Sequence, residues 1–395
     1  MEWKCEEYNS VAFRIAIVGT GAFARSFIPL FKAHPLVDEV ALCDLDAAKL
    51  DRTAEEFGLQ KTYSSLDAVC DSDVDAACII TQNWLHAPQA IQALRADKHV
   101  YSAVPTGITV EEIAELVHVV EETGLIYMLG ETSYYRSEDV YCRQRHAAGD
   151  FGHVVYAEAE YYHDFSHGLY EVMQRRGGER WREVAGSPPM HYPTHSVSQV
   201  VSVTGAHMTH VSCIGFVDRT DDGIFQANTN RWGNVFSDET ALFKMSDGSA
   251  CRINEFRRVG HPGVERLAQI AGTEATFEAS VAGRRWLTRD HRQTIDLDDL
   301  LRPGDVTVEG VTFHGVARVH DVARLPREFA TLPTGHGGSH QFLVDDFVRA
   351  CVSRTQPPNN VWLAARYAVA GLVAHESALQ GGELLAVPDF GDPPA

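Results

Sequence analysis

Arg14-Ile15-Ala16-Ile17-Val18-Gly19-Thr20-Gly21-Ala22-Phe23-Ala24 is the stretch on which the fold turns. A short β-rich run ends in GxGxxA, and apolar residues at helical spacing follow over 21–34 (Phe23, Phe27, Leu30 and Phe31). Gly19 permits a tight turn, Gly21 lets the backbone approach a pyrophosphate, and Ala24 keeps helix and strand close. The helix N-terminus attracts the phosphates. Thr20, Ala22 and Phe23 complete the candidate contacts of this loop. The next strand-like run, 39–43, ends at Asp44, twenty-five residues after Gly19. A carboxylate there binds both ribose hydroxyls of NAD and repels a 2′-phosphate. No Arg or Lys follows Asp44 immediately, so NAD is expected rather than NADP.

Outward from this motif, strands and helices alternate. Strands are predicted at 14–18, 39–43, 75–80, 99–102 and 125–129, with helices over 21–34, 46–57, 85–96 and 110–123. The strands are nearly continuous apolar runs, as when helices cover both faces. This pattern predicts an α/β Rossmann domain, a doubly wound parallel sheet, over residues 1–150. Beyond that, strands lengthen and alternate, and Ser246-Asp247-Gly248-Ser249 marks a hairpin. Further strands are expected at 265–271 and 275–279, the stretch 281–335 resembles loop, and helices return at 340–353 and 361–379. Residues 151–395 are therefore expected to form an α+β domain with a large, mostly antiparallel sheet, serving substrate binding and oligomerisation. The helix over 361–380 is a candidate to pack back on the first domain.

The chain has 395 residues, 34 basic and 54 acidic, for a net charge of −20. Such a charge argues against nucleic acid or a membrane surface as partner. Residues 1–7 show neither a basic nor an apolar region of a signal peptide, and no apolar run is long enough to span a bilayer, so a cytoplasmic protein is expected. The eight cysteines, including Cys5, form no CxxC pair and read as reduced core residues.

Further motifs resemble those of the glucose–fructose oxidoreductase/inositol 2-dehydrogenase (Gfo/Idh/MocA) superfamily. They are the glycine motif, Thr81-Gln82-Asn83-Trp84-Leu85-His86, Lys98-His99-Val100-Tyr101 before a proline turn, Ala374-His375-Glu376-Ser377-Ala378 and Gly381-Gly382. The resemblance implies a two-domain enzyme whose nicotinamide faces an antiparallel sheet and which assembles, as a dimer or tetramer, through that sheet. It brings Thr81, Asn83, His86 and Pro105 to the cofactor. Two departures stand out. The usual Glu-Lys-Pro triplet is Ala103-Val104-Pro105, so its lysine is absent, and the Asp of an Asp-x3-His pair is His191, with His195 retained.

One branch matches these departures: the NAD-dependent glycosidases typified by α-N-acetylgalactosaminidase. The matching elements are Val104-Pro105, Tyr192-Pro193-Thr194-His195, Tyr162-His163-Asp164, Glu131 and His336-Gly337-Gly338. That resemblance implies a carbohydrate or glycoside substrate. A hydride leaves a ring carbon, C3, the C2 proton becomes acidic, and the C1 substituent departs before the hydride returns.

Pro193 and Gly205 suit the two ends of a helix over about 193–204, which places Tyr192 and His195 on one side. A phenol beside an imidazole is a proton-transfer pair. Tyr192 and His195 are expected to act on the C3 hydroxyl. His163 and Glu131 are candidates for C2 proton transfer and leaving-group protonation, Glu131 also lying at the cofactor. Tyr162, Trp181, Arg182 and His336 are candidate sugar contacts. A net sugar or polyol dehydrogenase is the alternative, and a non-catalytic NAD sensor a second. His-x3-His spacings at 163/167, 191/195 and 336/340 lack a convincing helical frame, so no bound metal is expected.

Overall fold

In the computed structural model, the described residues are 13–261, 264–290 and 293–394. The N-terminal reading and Cys5 lie outside them. Six parallel strands form the first sheet: β1 (Arg14–Val18), β2 (Glu39–Cys43), β3 (Thr62–Tyr63), β4 (Ala76–Ile79), β5 (His99–Ser102) and β6 (Tyr127–Leu129). Their order, β3-β2-β1-β4-β5-β6, is the doubly wound dinucleotide arrangement, with the strand order reversing beside β1. Helices α1 (Ile28–Ala33), α2 (Ala47–Phe57), α3 (Leu66–Cys70), α4 (His86–Arg95) and α5 (Val110–Thr123) connect them. α5 matches its predicted span because both ends are coded: Thr109 caps the Glu112 N–H, and Gly124 closes it at φ +64°.

The predicted helix over 21–34 is broken. A 3₁₀ turn, Ala24–Ser26, precedes α1. Pro29 explains the break, because a proline inside a continuous helix would lose a hydrogen bond and clash with the preceding turn; restarting at Ile28 puts it in the first turn.

α6 (Ser137–Ala147) leads to β7 (Val154–Tyr162), the first strand of a nine-stranded sheet. After β7 in chain order come α7 (Leu169–Gly177), α8 (Trp181–Ala185) and α9 (Thr194–Thr204), then β8 (Met208–Val217), β9 (Phe236–Met245), β10 (Ala250–Phe256), β11 (Val264–Gly272), β12 (Ala275–Ser280), β13 (Gly283–Thr288) and β14 (Thr294–Asp296). The order is β14-β13-β12-β11-β7-β10-β9-β8, and every pair is antiparallel except β7 with β10. The predicted β9–β10 hairpin is present.

The stretch 281–335 is not simply loop. It holds β13, β14, α10 (Asp298–Leu301), and a separate hairpin of β15 (Gly304–Val308) and β16 (Val311–Val316). Its turn residues, Glu309 and Gly310, both take positive φ, yet Glu-Gly lacks the Asn-Gly or Asp-Gly signal of such turns. α11 (Ser339–Ser353) and α12 (Val361–Leu379) follow, and β17 (Leu385–Ala386) adds to the free edge of β8.

α12 is buried along most of its length and packs on α5, α9 and β8, so it joins the two sheets. Gly371 is where α12 passes the turn before α9: a Cβ there would lie 2.2 Å from the Met190 carbonyl oxygen and 2.4 Å from Pro193. The seven described cysteines are free; all but Cys70 are buried. Among the described residues no helix is long and apolar enough to cross a membrane.

Candidate active site

The glycine loop is shaped by its neighbours. Gly19 has φ +92°, and a Cβ would sit 2.3 Å from the Ile80 carbonyl oxygen, so only glycine fits. Gly21 has nothing within 4 Å of its Cβ position, which leaves open space beside the backbone. Thr20 donates its N–H and its hydroxyl to Asp44 Oδ2, each at 2.8 Å, and Lys49 Nζ stands 2.6 Å from the same oxygen. Burial pushes the Asp44 carboxyl up, but Lys49 and the Thr20 donors outweigh it and lower its pKa to about 2. Lys49 is the cation that a reading of adjacent residues overlooks; one turn of α2 returns it to Asp44.

His86 does not face the loop. Its Nδ1 lies 2.8 Å from the Pro105 carbonyl and its Nε2 3.3 Å from that of Thr81. Burial lowers its pKa to about 4, so it is a neutral staple between the turns after β4 and β5. The Thr81 hydroxyl is taken up by Gln89 Oε1 at 2.5 Å. Asn83 lines the cleft between the two sheets, with Gln82, Trp84, His191, Tyr192 and Trp232.

The reactive cluster sits at the start of α9. Pro193 is the cap residue and Gly205 ends the helix at φ +72°. Tyr192 lies outside the helix, at φ −129°, ψ 53°. The turn nevertheless brings its ring centroid to 5.3 Å from that of His195. His195, 4% exposed, points Nδ1 at Glu131 Oε1, 2.7 Å away; Glu131 is fully buried and also accepts the Ser133 N–H at 2.8 Å. With Nδ1 engaged by the Glu131 carboxyl, Nε2 is the ring nitrogen left to take up a proton.

Tyr161, absent from the expected residues, is central. Its ring lies 5.1 Å from His195 and 5.9 Å from Tyr192, and its hydroxyl is 2.9 Å from His163 Nδ1. Tyr162, expected to contact substrate, is turned to the opposite face of the sheet, where it stacks on Phe256 at 5.0 Å. Strand alternation makes the correction: neighbours in β7 cannot share a face.

A buried polar platform supports the turn. Glu239 on β9 and Glu255 on β10 are register partners. Glu239 accepts the Met190 N–H at 2.8 Å and pairs with His375 Nδ1 at 2.7 Å. Glu255 accepts from the Ser196 hydroxyl and from Arg257 at 3.0 Å, and the Arg257 guanidinium lies 5.0 Å from the Tyr161 ring. Burial raises Glu255 to about 7 against the pull of Arg257, Ser196 and His195. His191 faces His375, ring centroids 5.0 Å apart; burial, then the His375 charge, lowers it to about 3. A signal for this platform is present in the sequence, since Ile253, Glu255 and Arg257 alternate and a strand puts such residues on one face.

The other three expected sugar contacts are placed as follows. Trp181 is buried in a small separate core with Phe165, Leu169 and Phe225, and Arg182 lies over its ring and donates to the Asp222 carbonyl at 2.9 Å. His336 is placed at the glycine loop, its ring 5.9 Å from that of Phe23, and its Nδ1 is 2.9 Å from His340 Nε2. Among the described residues no three His, Cys, Asp or Glu side chains gather as a metal site.

Residues 13–131 match the family described as "Oxidoreductase family, NAD-binding Rossmann fold". A "Glycosyl hydrolase family 109 protein" of Saccharopolyspora erythraea is 26% identical over 98% of this chain and 86% of its own. An "Alpha-N-acetylgalactosaminidase" of Shewanella oneidensis is 28% identical over 47% of this chain and 43% of its own. The structure resembles a levoglucosan dehydrogenase in complex with NADH and levoglucosan, at TM-score 0.74 and 16% identity, with 96% of this chain and 100% of that one covered. It also resembles myo-inositol 2-dehydrogenase from Lactobacillus plantarum, at TM-score 0.70 and 19% identity over 96% and 100%. Residues 13–131 therefore match an NAD-binding Rossmann domain of that oxidoreductase family, and the whole chain shares the fold of the dehydrogenases named above.

The chain is thus an enzyme of the NAD-dependent oxidoreductase fold. Its loop fits the cofactor: the backbone at Gly21 is open, Gly19 admits no side chain, and the ionised Asp44 awaits ribose hydroxyls. NAD, when bound, supplies an acceptor and donor of hydride. The chain itself contributes a phenol–imidazole–carboxylate series, Tyr192, His195 and Glu131, that can move a proton at the cleft and hold the resulting charge.

Proposed function

We propose that this enzyme cleaves a glycosidic bond by transient oxidation of the sugar at C3, with NAD retained through the cycle. The observation that carries the reading is the buried Glu131–His195 pair at 2.7 Å with the Tyr192 ring against it, in a chain whose turn after β5 lacks the lysine of the ordinary dehydrogenases. Tyr192 accepts the C3 hydroxyl proton and passes it toward His195 Nε2, while Glu131 stabilises the imidazolium. With a ketone at C3, the C2 proton is acidic, and the Tyr161–His163 pair is the base for it and the acid for the departing oxygen. Water then adds at C1 and the ketone is reduced again, so no net redox change remains. The names of the Saccharopolyspora and Shewanella relatives support a glycoside substrate, with an N-acetylgalactosaminide as first choice.

Division of labour follows the two sheets, with a cofactor unit to about residue 150 and a substrate unit in 151–395. Exposed Ile214, Phe216 and Leu242 on the outer face of the larger sheet support assembly of copies there. The decisive experiment incubates the purified protein with a chromogenic α-N-acetylgalactosaminide and other glycosides, no cofactor added. Aglycone release without NADH accumulation is expected. Stoichiometric NADH without aglycone release overturns the hydrolase and leaves a net sugar or polyol dehydrogenase.

A further inference from the structure

The cleft has an aromatic wall that the chemistry above does not use. Trp84, from the turn after β4, and Trp232, from the 218–235 connection between β8 and β9, meet with ring centroids 6.4 Å apart and planes at 62°. Both line the cleft that contains Tyr192, and neither ring is fully buried. Arg231 is exposed and lays its guanidinium 4.6 Å from the Trp84 centroid and 5.9 Å from that of Trp232, marking the outer end of the wall.

The loop that carries Trp232 is pinned. Asn230 donates to the Ile224 carbonyl at 3.0 Å and the Asn234 carbonyl at 2.8 Å, and its Oδ1 accepts the Asn234 N–H at 2.9 Å and the Trp232 N–H at 3.2 Å. Asn234 in turn donates to the Gly186 carbonyl at 3.2 Å. Gly186 has no room for a Cβ, which would fall 2.3 Å from the Ile224 oxygen. A long connection is thus held rigid by two buried asparagines, and what it presents to the cleft is an indole. Fixing an aromatic face in advance lowers the cost of ordering it on binding.

We infer that Trp84 and Trp232 form a second sugar subsite in the cleft that Tyr192 lines. Two indoles at an angle offer a corner for the C–H face of a pyranose, and Gln82, Arg176 and Ser187 on the same lining offer donors and acceptors to its hydroxyl edge. Among the described residues lining the cleft there is no carboxylate, and Arg176 is the one full cation, so the lining suits a neutral or anionic ring better than a cationic one. The substrate class is therefore a disaccharide or longer glycoside, not a free monosaccharide. This inference rests on the glycoside reading of the same site.

The test measures binding and turnover separately. NAD-loaded wild type, Trp232→Ala and Trp232→Tyr are titrated calorimetrically with methyl α-N-acetylgalactosaminide and with N-acetylgalactosaminyl-α-1,3-galactose. NADH affinity of each variant is measured in parallel. The disaccharide is expected to bind wild type about tenfold more tightly than the methyl glycoside. Trp232→Ala removes that margin, Trp232→Tyr restores most of it, and NADH affinity stays unchanged. Equal binding of the two probes to wild type, binding of neither, or equal loss for both in Trp232→Ala overturns the subsite. If the margin and its loss are seen but neither probe is cleaved, the subsite stands and the hydrolase reading falls.

Discussion

Glu131 Oε1 lies 2.7 Å from His195 Nδ1, and both side chains are almost wholly inside the protein. A buried carboxylate that holds the proton on Nδ1 decides which imidazole nitrogen faces the reaction. Glu131→Gln keeps the shape and removes the charge. We expect kcat to fall by about 10²–10⁴-fold while NADH binding and Tm change little. An unchanged kcat would remove Glu131 and His195 from the proton path.

Glu255 gives the protein a pH signature. Its carboxyl is raised from 4.5 to about 7 by burial, so between those values the folded state holds a proton that the unfolded state has released. Stability from this group is present below about pH 4.5 and is lost as pH rises through 7. Glu255→Gln is neutral throughout. Its Tm relative to wild type should therefore rise between pH 5 and pH 8 in thermal scans; a constant difference contradicts the shift.

Asp44 is the residue expected to set cofactor choice. With Asp44 ionised down to about pH 2, a 2′-phosphate meets a fixed negative charge. Asp44→Ser removes it and leaves Lys49 without its partner. NADH affinity should drop by about tenfold or more and NADPH affinity should rise, as read by nucleotide fluorescence titration. A variant that still rejects NADPH shows that something besides Asp44 excludes the phosphate.

Gly371 ties the C-terminal helix to the catalytic turn. In Gly371→Ala the new methyl group meets the Met190 carbonyl and Pro193, and either α12 or the turn must shift. Overpacking of this kind costs about 1–3 kcal/mol. We expect a Tm lower by several degrees and a kcat that falls more than NADH affinity does. Loss of NADH affinity instead of kcat would mean that the strain is relieved toward α5.

Much of this was legible in the linear chain, for identifiable reasons. The glycine loop, Asp44 and α5 are set by local chemistry: φ-specific glycines, caps and apolar periodicity. Tyr192 and His195 lie three residues apart, so their meeting needed only a turn. The places of Tyr161, Glu255 and Lys49 are not legible locally, because Tyr161 meets His195 and Glu255 meets Ser196 only through the fold, and Lys49 returns to Asp44 by a helical turn. Trp181 enters a separate core because an aromatic beside a motif carries no sign of which core it joins. Tyr162 was a matter of parity, one residue off along an alternating strand.

That parity has a wider consequence. Tyr161 and Tyr162 are bonded neighbours, yet one belongs to the cleft and the other to the outer surface of the sheet. The partition between the His195 cluster and the outer row of the sheet is here a single peptide unit thick. Whatever docks on the outer row pushes on the same strand that aims the phenol at His195, and a one-residue slip of β7 would exchange the two tyrosines' stations altogether.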